Sequence, residues 1–527
     1  MSILRVRPRP LLRLRPLLVC AWLALHGSAA LAQDLEETTA AAMEPQYDLV
    51  LWGGRVLDPE TGLDAPLHVG IRGGVVAALS ESPLDGRETL DVTGLAVAPG
   101  FVDLHVHGQN PLSYDFLVRD GVTTALDLEL GVHGVKRFLA EREGHARLNY
   151  GASAGHIPAR IKRMYGVSPG HLLTRGGGLA GALSRLVERW FHPTGFARDP
   201  LDAYGIRKLV LLLGDQLDEG GIGIGMGIAY TPGATHEELL AVFSLAAERR
   251  EPLFVHLREQ QRPDDLGPFD EALGLVRATG APLHVVHVVS SCAAATARCL
   301  ARLDAARAEG LDLTTELYPY TAASTLLESA VFDPGWQQRL GIDYGDLQWV
   351  ATGERLTAES FARYRRKGGM VVAHGLREEW IEDALRHPGV MVASDAMPLY
   401  EGGEHPRSAG THARVLGRYV RERGTLPLMD ALARMSWLPA RRLEDFVPAM
   451  RRKGRLRVGA DADLVVFDPA TVIDRATYED SHQPSAGIAD VLVGGVLVVR
   501  DGALVEGAYP GRPIRAMSAR AADDFGR

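Results

Sequence analysis

The sequence predicts an α/β protein: a (β/α)8 TIM barrel with a small β-sandwich formed by both chain ends. Three observations carry this. Between residues 98 and 454, apolar strand-like runs alternate with helical stretches. Short strands split by Gly-Gly pairs occur only near the two ends. Histidines and an aspartate close several of the barrel strands, where a barrel forms its active site.

Residues 1–32 hold five arginines (Arg5, Arg7, Arg9, Arg13, Arg15), no acid, the apolar run Leu17–Leu25 and then Ala30-Leu31-Ala32. A basic region, a short apolar region and an Ala-x-Ala site are the parts of a secretory signal peptide, so export to the periplasm or medium and cleavage near Ala32 are expected. The apolar run is too short to span a bilayer. Residues 33–45 form a polar, alanine-rich lead-in. Without the five arginines the basic residues fall from 57 to 52 against 66 acidic ones, a net charge of −14. No lysine- or arginine-rich stretch remains, so neither nucleic acid nor a membrane is an expected partner; a homo-oligomer is left open.

The sandwich is assigned to 46–97 plus 455–527. Gly53-Gly54 and Gly73-Gly74 each separate apolar runs and read as hairpin signals. Either terminal stretch is too small to cover a sheet face alone, so the two are expected to pair. The eight barrel strands are placed at 100–107, 121–129, 148–155, 222–229, 252–256, 282–287, 312–318 and 390–395. An insertion at about 319–389 carries a further strand at 369–374. Its Trp336 and Trp349, with Trp380, are read as core or as a lid. Cys292 and Cys299, seven apart on one predicted helix, would stand about 10 Å from each other, too far for a disulfide.

The chemistry gathers at strand ends. His105 and His107 close the first strand on one face, because side chains repeat every two residues. His256 closes the fifth strand, His287 the sixth and Asp395 the eighth. Four imidazoles and a carboxylate at a barrel mouth suit catalytic Zn2+, as one or two ions. In the second strand Asp127 and Glu129 share a face, and Glu129 is nearer the C-terminal end. His156 and His374 are read as supporting or loop residues.

Pro99-Gly-Phe-Val-Asp-Leu-His105-Val-His107 resembles the opening strand of the amidohydrolase superfamily. Within it the chain most resembles the D-aminoacylases, or N-acyl-D-amino-acid deacylases. Gly121-Val-Thr-Thr, Gly155-His-Ile-Pro-Ala-Arg160, Gly223-Ile-Gly-Met-Gly-Ile-Ala-Tyr-Thr-Pro-Gly233, Leu317-Tyr-Pro-Tyr-Thr and His405-Pro-Arg407 carry that resemblance. It implies that His105, His107, His256 and His287 bind metal. Asp395 would ligate metal and act as general acid and base. Arg407, in the loop after the last strand, would hold the substrate carboxylate, with Tyr318 beside it. The implied reaction is deacylation of a small N-acyl-D-amino acid. Two departures stand out: no cysteine follows Gly121-Val-Thr-Thr, where the family usually places a bridging one, and no lysine follows His287. The resemblance therefore implies a carboxylate bridge, Glu129 with Asp127 as the alternative, and Lys136, Lys162 and Lys208 lie away from strand ends, which argues against the carbamylated lysine of other relatives. The same site would also serve a dipeptidase, cyclic-amide hydrolase or lactonase, and a barrel holding metal without turnover is the alternative of a different class.

Overall fold

The computed structural model describes residues 46–169, 172, 195–262, 264–400 and 403–517. The expected signal peptide and lead-in lie outside these residues. Eight parallel strands form the barrel: β1 (Phe101–Asp103), β2 (Val122–Val132), β3 (Asn149–Gly155), β4 (Ile224–Gly227), β5 (Leu253–His256), β6 (Leu283–Val285), β7 (Leu313–Leu317) and β8 (Val390–Val392). They hydrogen-bond in chain order. The ring closes where Val106 bridges Ala396 and where the His107 amide donates to Ala396 O at 2.8 Å. Seven fall inside the runs read from the sequence, and β2 starts inside its run but continues three residues past it, to Val132. Each is nearly all buried, because barrel strands face side chains within and helices without, which is why most read as largely apolar runs.

The outer helices begin at recognisable caps. Asp202 accepts from the Gly205 amide at 2.6 Å ahead of Ala203–Asp218, and Thr235 accepts from the Glu238 amide at 3.3 Å ahead of His236–Arg249. Among the described residues no helix is long and apolar enough to cross a membrane.

Both ends of the chain build one nine-stranded sheet, joined where Ala96–Pro99 pairs antiparallel with Leu464–Phe467. The sheet curls over on itself, so that Val76 N reaches Ala460 O at 2.9 Å across the closure. Leu49, Leu51, Val69, Ile71, Val466 and Leu492 fill the space inside. Gly73-Gly74 forms the predicted hairpin turn, with φ of 60° and 79°. Gly53-Gly54 does not turn. Tyr47–Asp58 is one strand, and the glycines form a bulge between Leu51 and Gly54.

The insertion carries its own three-stranded antiparallel sheet of Ala322–Leu326, Met370–His374 and Leu347–Trp349. Trp336 and Trp349 lie in its apolar core, with Trp336 stacked on Phe361 at 5.3 Å, and Trp349 also reaches the wall of the central cavity.

The cysteine expectation is overturned. Cys292 and Cys299 form a disulfide, with their Cα atoms 6.6 Å apart. A continuous helix would separate them further, but the helix stops at Cys292. Ala293 takes φ 44°, a short 3-10 turn spans Ala293–Ala295, and a second helix starts at Thr296. The break folds the two cysteines together.

Candidate metal centre

The predicted ligands converge at the C-terminal mouth of the barrel. Among the described residues two groups have ligating atoms within 4.8 Å of one another: His105, His107, Glu129 and Asp395, and Glu129, His256 and His287. Glu129 belongs to both. Its Oε2 lies 3.1 Å from His105 Nε2 and 3.0 Å from His107 Nε2, while its Oε1 lies 2.8 Å from His256 Nδ1 and 3.8 Å from His287 Nε2. Asp395 Oδ1 stands 3.4 Å from His105 Nε2 and 3.5 Å from His107 Nε2.

Several of the predicted ligands sit just beyond the regular strands. β1 ends at Asp103, and His105 forms an isolated bridge to Asp127. His287 and Asp395 have φ of 35° and 51°, a left-handed backbone that residues with a β-carbon rarely adopt. Such conformations persist where surrounding structure imposes them, commonly at functional sites. At Asp395 the neighbouring Ser394 amide donates to both carboxylate oxygens of buried Asp103, at 3.1 and 3.2 Å.

A second ring of groups fixes the imidazoles. His105 Nδ1 meets Glu316 Oε1 at 2.6 Å, and Glu316 Oε2 meets His284 Nε2 at 3.1 Å. His107 Nδ1 faces Asp127 Oδ1 at 3.3 Å, and His287 Nδ1 faces Ser291 Oγ at 3.1 Å. Each partner leaves Nε2 turned toward Glu129. Thus Asp127 supports a histidine, and Glu129 takes the shared position. The sequence reading missed Glu316, Asp103 and His284. Period-two alternation carried the signal for Glu316, which shares a face of β7 with Tyr318.

Electrostatics follow from this crowding. Burial disfavours a charged His105, yet Asp395, Glu316 and Glu129 outweigh it and raise its pKa to about 10. Burial opposes ionisation of Glu316, but His105 and His284 hold it down at about 2. Glu129 is held well below the usual carboxylate range against its burial by the histidines around it. Asp395 is also lowered against its burial, chiefly by Arg407 and then His105. Carboxylates that stay ionised among imidazoles form a site suited to a cation.

Arg407 follows the last barrel strand as expected, but on a helix rather than in a loop. It opens the helix Arg407–Arg414 and is 1% exposed. Its Nη1 lies 3.0 Å from Asp395 Oδ2, its Nη2 donates to Ser324 O at 3.2 Å, and its guanidinium stacks over the Tyr318 ring at 4.6 Å. Arg407 and Tyr318 line the same large cavity as His107, Glu129, His256 and Asp395. Tyr320 instead points its hydroxyl toward Asp474 Oδ2 at 3.4 Å. His156 is buried against Glu238 at 2.8 Å, and His374 meets Gln348 Oε1 at 2.9 Å; neither joins the cluster.

Residues 236–499 match the amidohydrolase family. An N-acyl-D-glutamate deacylase of Alcaligenes xylosoxydans xylosoxydans is 32% identical over 86% of this chain and 94% of its own length. A D-aminoacylase of the same organism is 29% identical over 90% and 98%. The crystal structure of N-acyl-D-glutamate deacylase from Bordetella bronchiseptica, complexed with zinc and a phosphonate mimic of the tetrahedral intermediate, superposes with a TM-score of 0.71 at 27% identity, covering 89% of this chain and all of that one. With fold, strand-end ligand cluster and full-length similarity in agreement, the chain belongs to the amidohydrolase superfamily and, within it, to the D-aminoacylase family.

Proposed function

We propose that the protein is a zinc-dependent hydrolase of linear amides that converts N-acyl-D-amino acids to a carboxylate and a free D-amino acid. One observation carries this reading: two sets of ligating atoms share Glu129 at a barrel mouth that also holds Asp395 and Arg407. The donor set fits zinc. It combines imidazole nitrogen with carboxylate oxygen, and the Nδ1 atoms of His105, His107 and His287 are turned outward onto Glu316, Asp127 and Ser291. His105, His107 and Asp395 would hold one ion, His256 and His287 a second, with Glu129 between them. Bound zinc supplies Lewis acidity that polarises an amide carbonyl and makes water nucleophilic near neutral pH.

The chain's own residues do the rest. Asp395, ionised because Arg407 and His105 offset its burial, takes the proton of the attacking water. It then delivers that proton to the amide nitrogen as the C–N bond breaks, so that the amine leaves neutral. Arg407 offers a planar, permanently charged fork to the substrate carboxylate. Burial pushes the Tyr318 hydroxyl up to about 12, so it remains a neutral donor facing the same space.

Export is part of the proposal. It is supported by the basic, apolar and Ala-x-Ala segments of residues 1–32 and by the Cys292–Cys299 disulfide, which belongs to an oxidising compartment. The test of function is a panel of N-acetyl-D- and N-acetyl-L-amino acids, dipeptides, cyclic amides and lactones with zinc-loaded protein. Turnover confined to the D-series is expected. Equal turnover of both enantiomers, or activity on cyclic amides or lactones alone, would overturn the reading.

A further inference from the structure

We propose that the Cys292–Cys299 disulfide and Ser291 together form the mount of His287, so that the second metal position depends on the oxidised bridge. This rests on the metal reading above.

His287 immediately precedes a helix of five residues, Val288–Cys292, too short to be stable alone. Non-glycine residues in left-handed φ flank it on both sides: His287 at 35° and Ala293 at 44°. At the first end the chain folds back on His287: Ser290 Oγ and Ser291 N both donate to His287 O at 3.1 Å, and Ser291 Oγ lies 3.1 Å from His287 Nδ1. At the other end Cys292 is bonded across the break to Cys299, in the long helix Thr296–Ala308. Both cysteines are fully buried, and that helix is rooted in the main core by Leu300 and Leu303. Cys292 directly follows Ser291, so the bridge anchors the residue next to the one that orients the imidazole.

The two metal positions differ in this respect. His105 and His107 are oriented by carboxylates, Glu316 and Asp127, which belong to barrel strands. His287 is oriented by a serine on a single helical turn. Cleaving the bridge, with one external dithiol oxidised to its disulfide and two protein thiols formed, would free Ala293 to leave its left-handed conformation. Ser291 would then move, and Nε2 of His287 would lose its aim. The group of Glu129, His256 and His287 would weaken while that of His105, His107 and Asp395 persisted. Ser291 is a positioning residue in this scheme.

The experiment is zinc uptake by the full chain at buffered free zinc, read as ions per chain by plasma mass spectrometry. The oxidised wild type is expected to bind two ions. The paired Cys292→Ser/Cys299→Ser chain and Ser291→Ala should each bind the second ion at least about tenfold more weakly, with the first unchanged. Ser291→Thr, which keeps the hydroxyl, should restore it. If the paired variant does not fold, wild-type chain reduced by a dithiol and then freed of it without air decides, and a reduced or paired-variant chain that binds both ions as the oxidised wild type does overturns the proposal. Identical isotherms for wild type and Ser291→Ala, at one ion or two, overturn the proposal. A wild type that takes up no zinc instead fails the functional reading, and this inference with it.

Discussion

In the proposed reaction Asp395 accepts a proton and returns it, and its surroundings suit that task unevenly. Arg407 at 3.0 Å keeps it ionised and ready to accept, while the mouth of the cavity leaves it open to substrate. Asp395→Asn should therefore lower kcat by about 10²–10⁴-fold, measured on N-acetyl-D-amino acids with zinc content followed in parallel. Arg407→Lys keeps the charge but loses the planar fork and the stacking on Tyr318; KM for the acyl amino acid should rise at least about tenfold in steady-state assays. A third residue reports on stability alone. Glu251 precedes β5 at the far end of the barrel, and burial raises its pKa from 4.5 to about 8, partly offset by a hydrogen bond from the Gly223 backbone. Between those two values the folded chain keeps a proton that the unfolded chain releases, so stability falls as pH rises through the window and levels off above pH 8. Glu251→Gln should flatten that slope and stabilise the protein at pH 9 by a few kcal/mol relative to wild type, read from denaturant midpoints at pH 5 and pH 9.

The glycine-rich segment shows how an element can serve a site without touching substrate. A β-carbon on Gly225 in β4 would collide with the carbonyl oxygens of Leu128 and Glu129 in β2. The absence of that carbon lets β4 lie against the strand that carries the shared carboxylate. Gly225→Ala should push Glu129 out of place: thermal denaturation would register a loss of about 1–3 kcal/mol, and bound zinc should fall with it. At this scale the sequence was most legible. Eight strands announced themselves as apolar runs, and His105, His107, His256 and His287 as polar interruptions at their ends. Period-two alternation put Glu316 on the face of Tyr318, but its role stayed hidden because it lies in partners far along the chain, His105 and His284, and no spacing links them. The disulfide stayed hidden for the opposite reason. The spacing of Cys292 and Cys299 was read as helical, and only the backbone reversal at Ala293 makes it close.

At the scale of the whole molecule, the chain's last described residues belong to the barrel as much as to the sheet they follow. Beyond the final strand the tail runs back to β3, where Tyr150 N donates to Arg512 O at 3.1 Å and Ile514 N to Tyr150 O at 2.7 Å. Ile514, 2% exposed, joins an apolar cluster with Val102, Leu126, Ile222 and Phe254. It therefore closes the barrel at the end opposite the candidate metal centre. Together with the Ala96–Pro99 and Leu464–Phe467 pairing, this ties sheet and barrel into one unit, and a single cooperative unfolding transition is expected. Truncating Ile514→Ala leaves a cavity in that cluster and should cost about 2–5 kcal/mol. Among the described residues no hydrogen bond or ion pair joins a proposed ligand, Arg407 or Tyr318 to the tail, so kcat per zinc-loaded chain should be unchanged well below the melting temperature. Denaturant midpoints and kcat measured on the same preparation separate the two effects. A variant that kept its midpoint but lost kcat would show that the tail acts on the site directly, and a second unfolding transition would show that sheet and barrel fold apart.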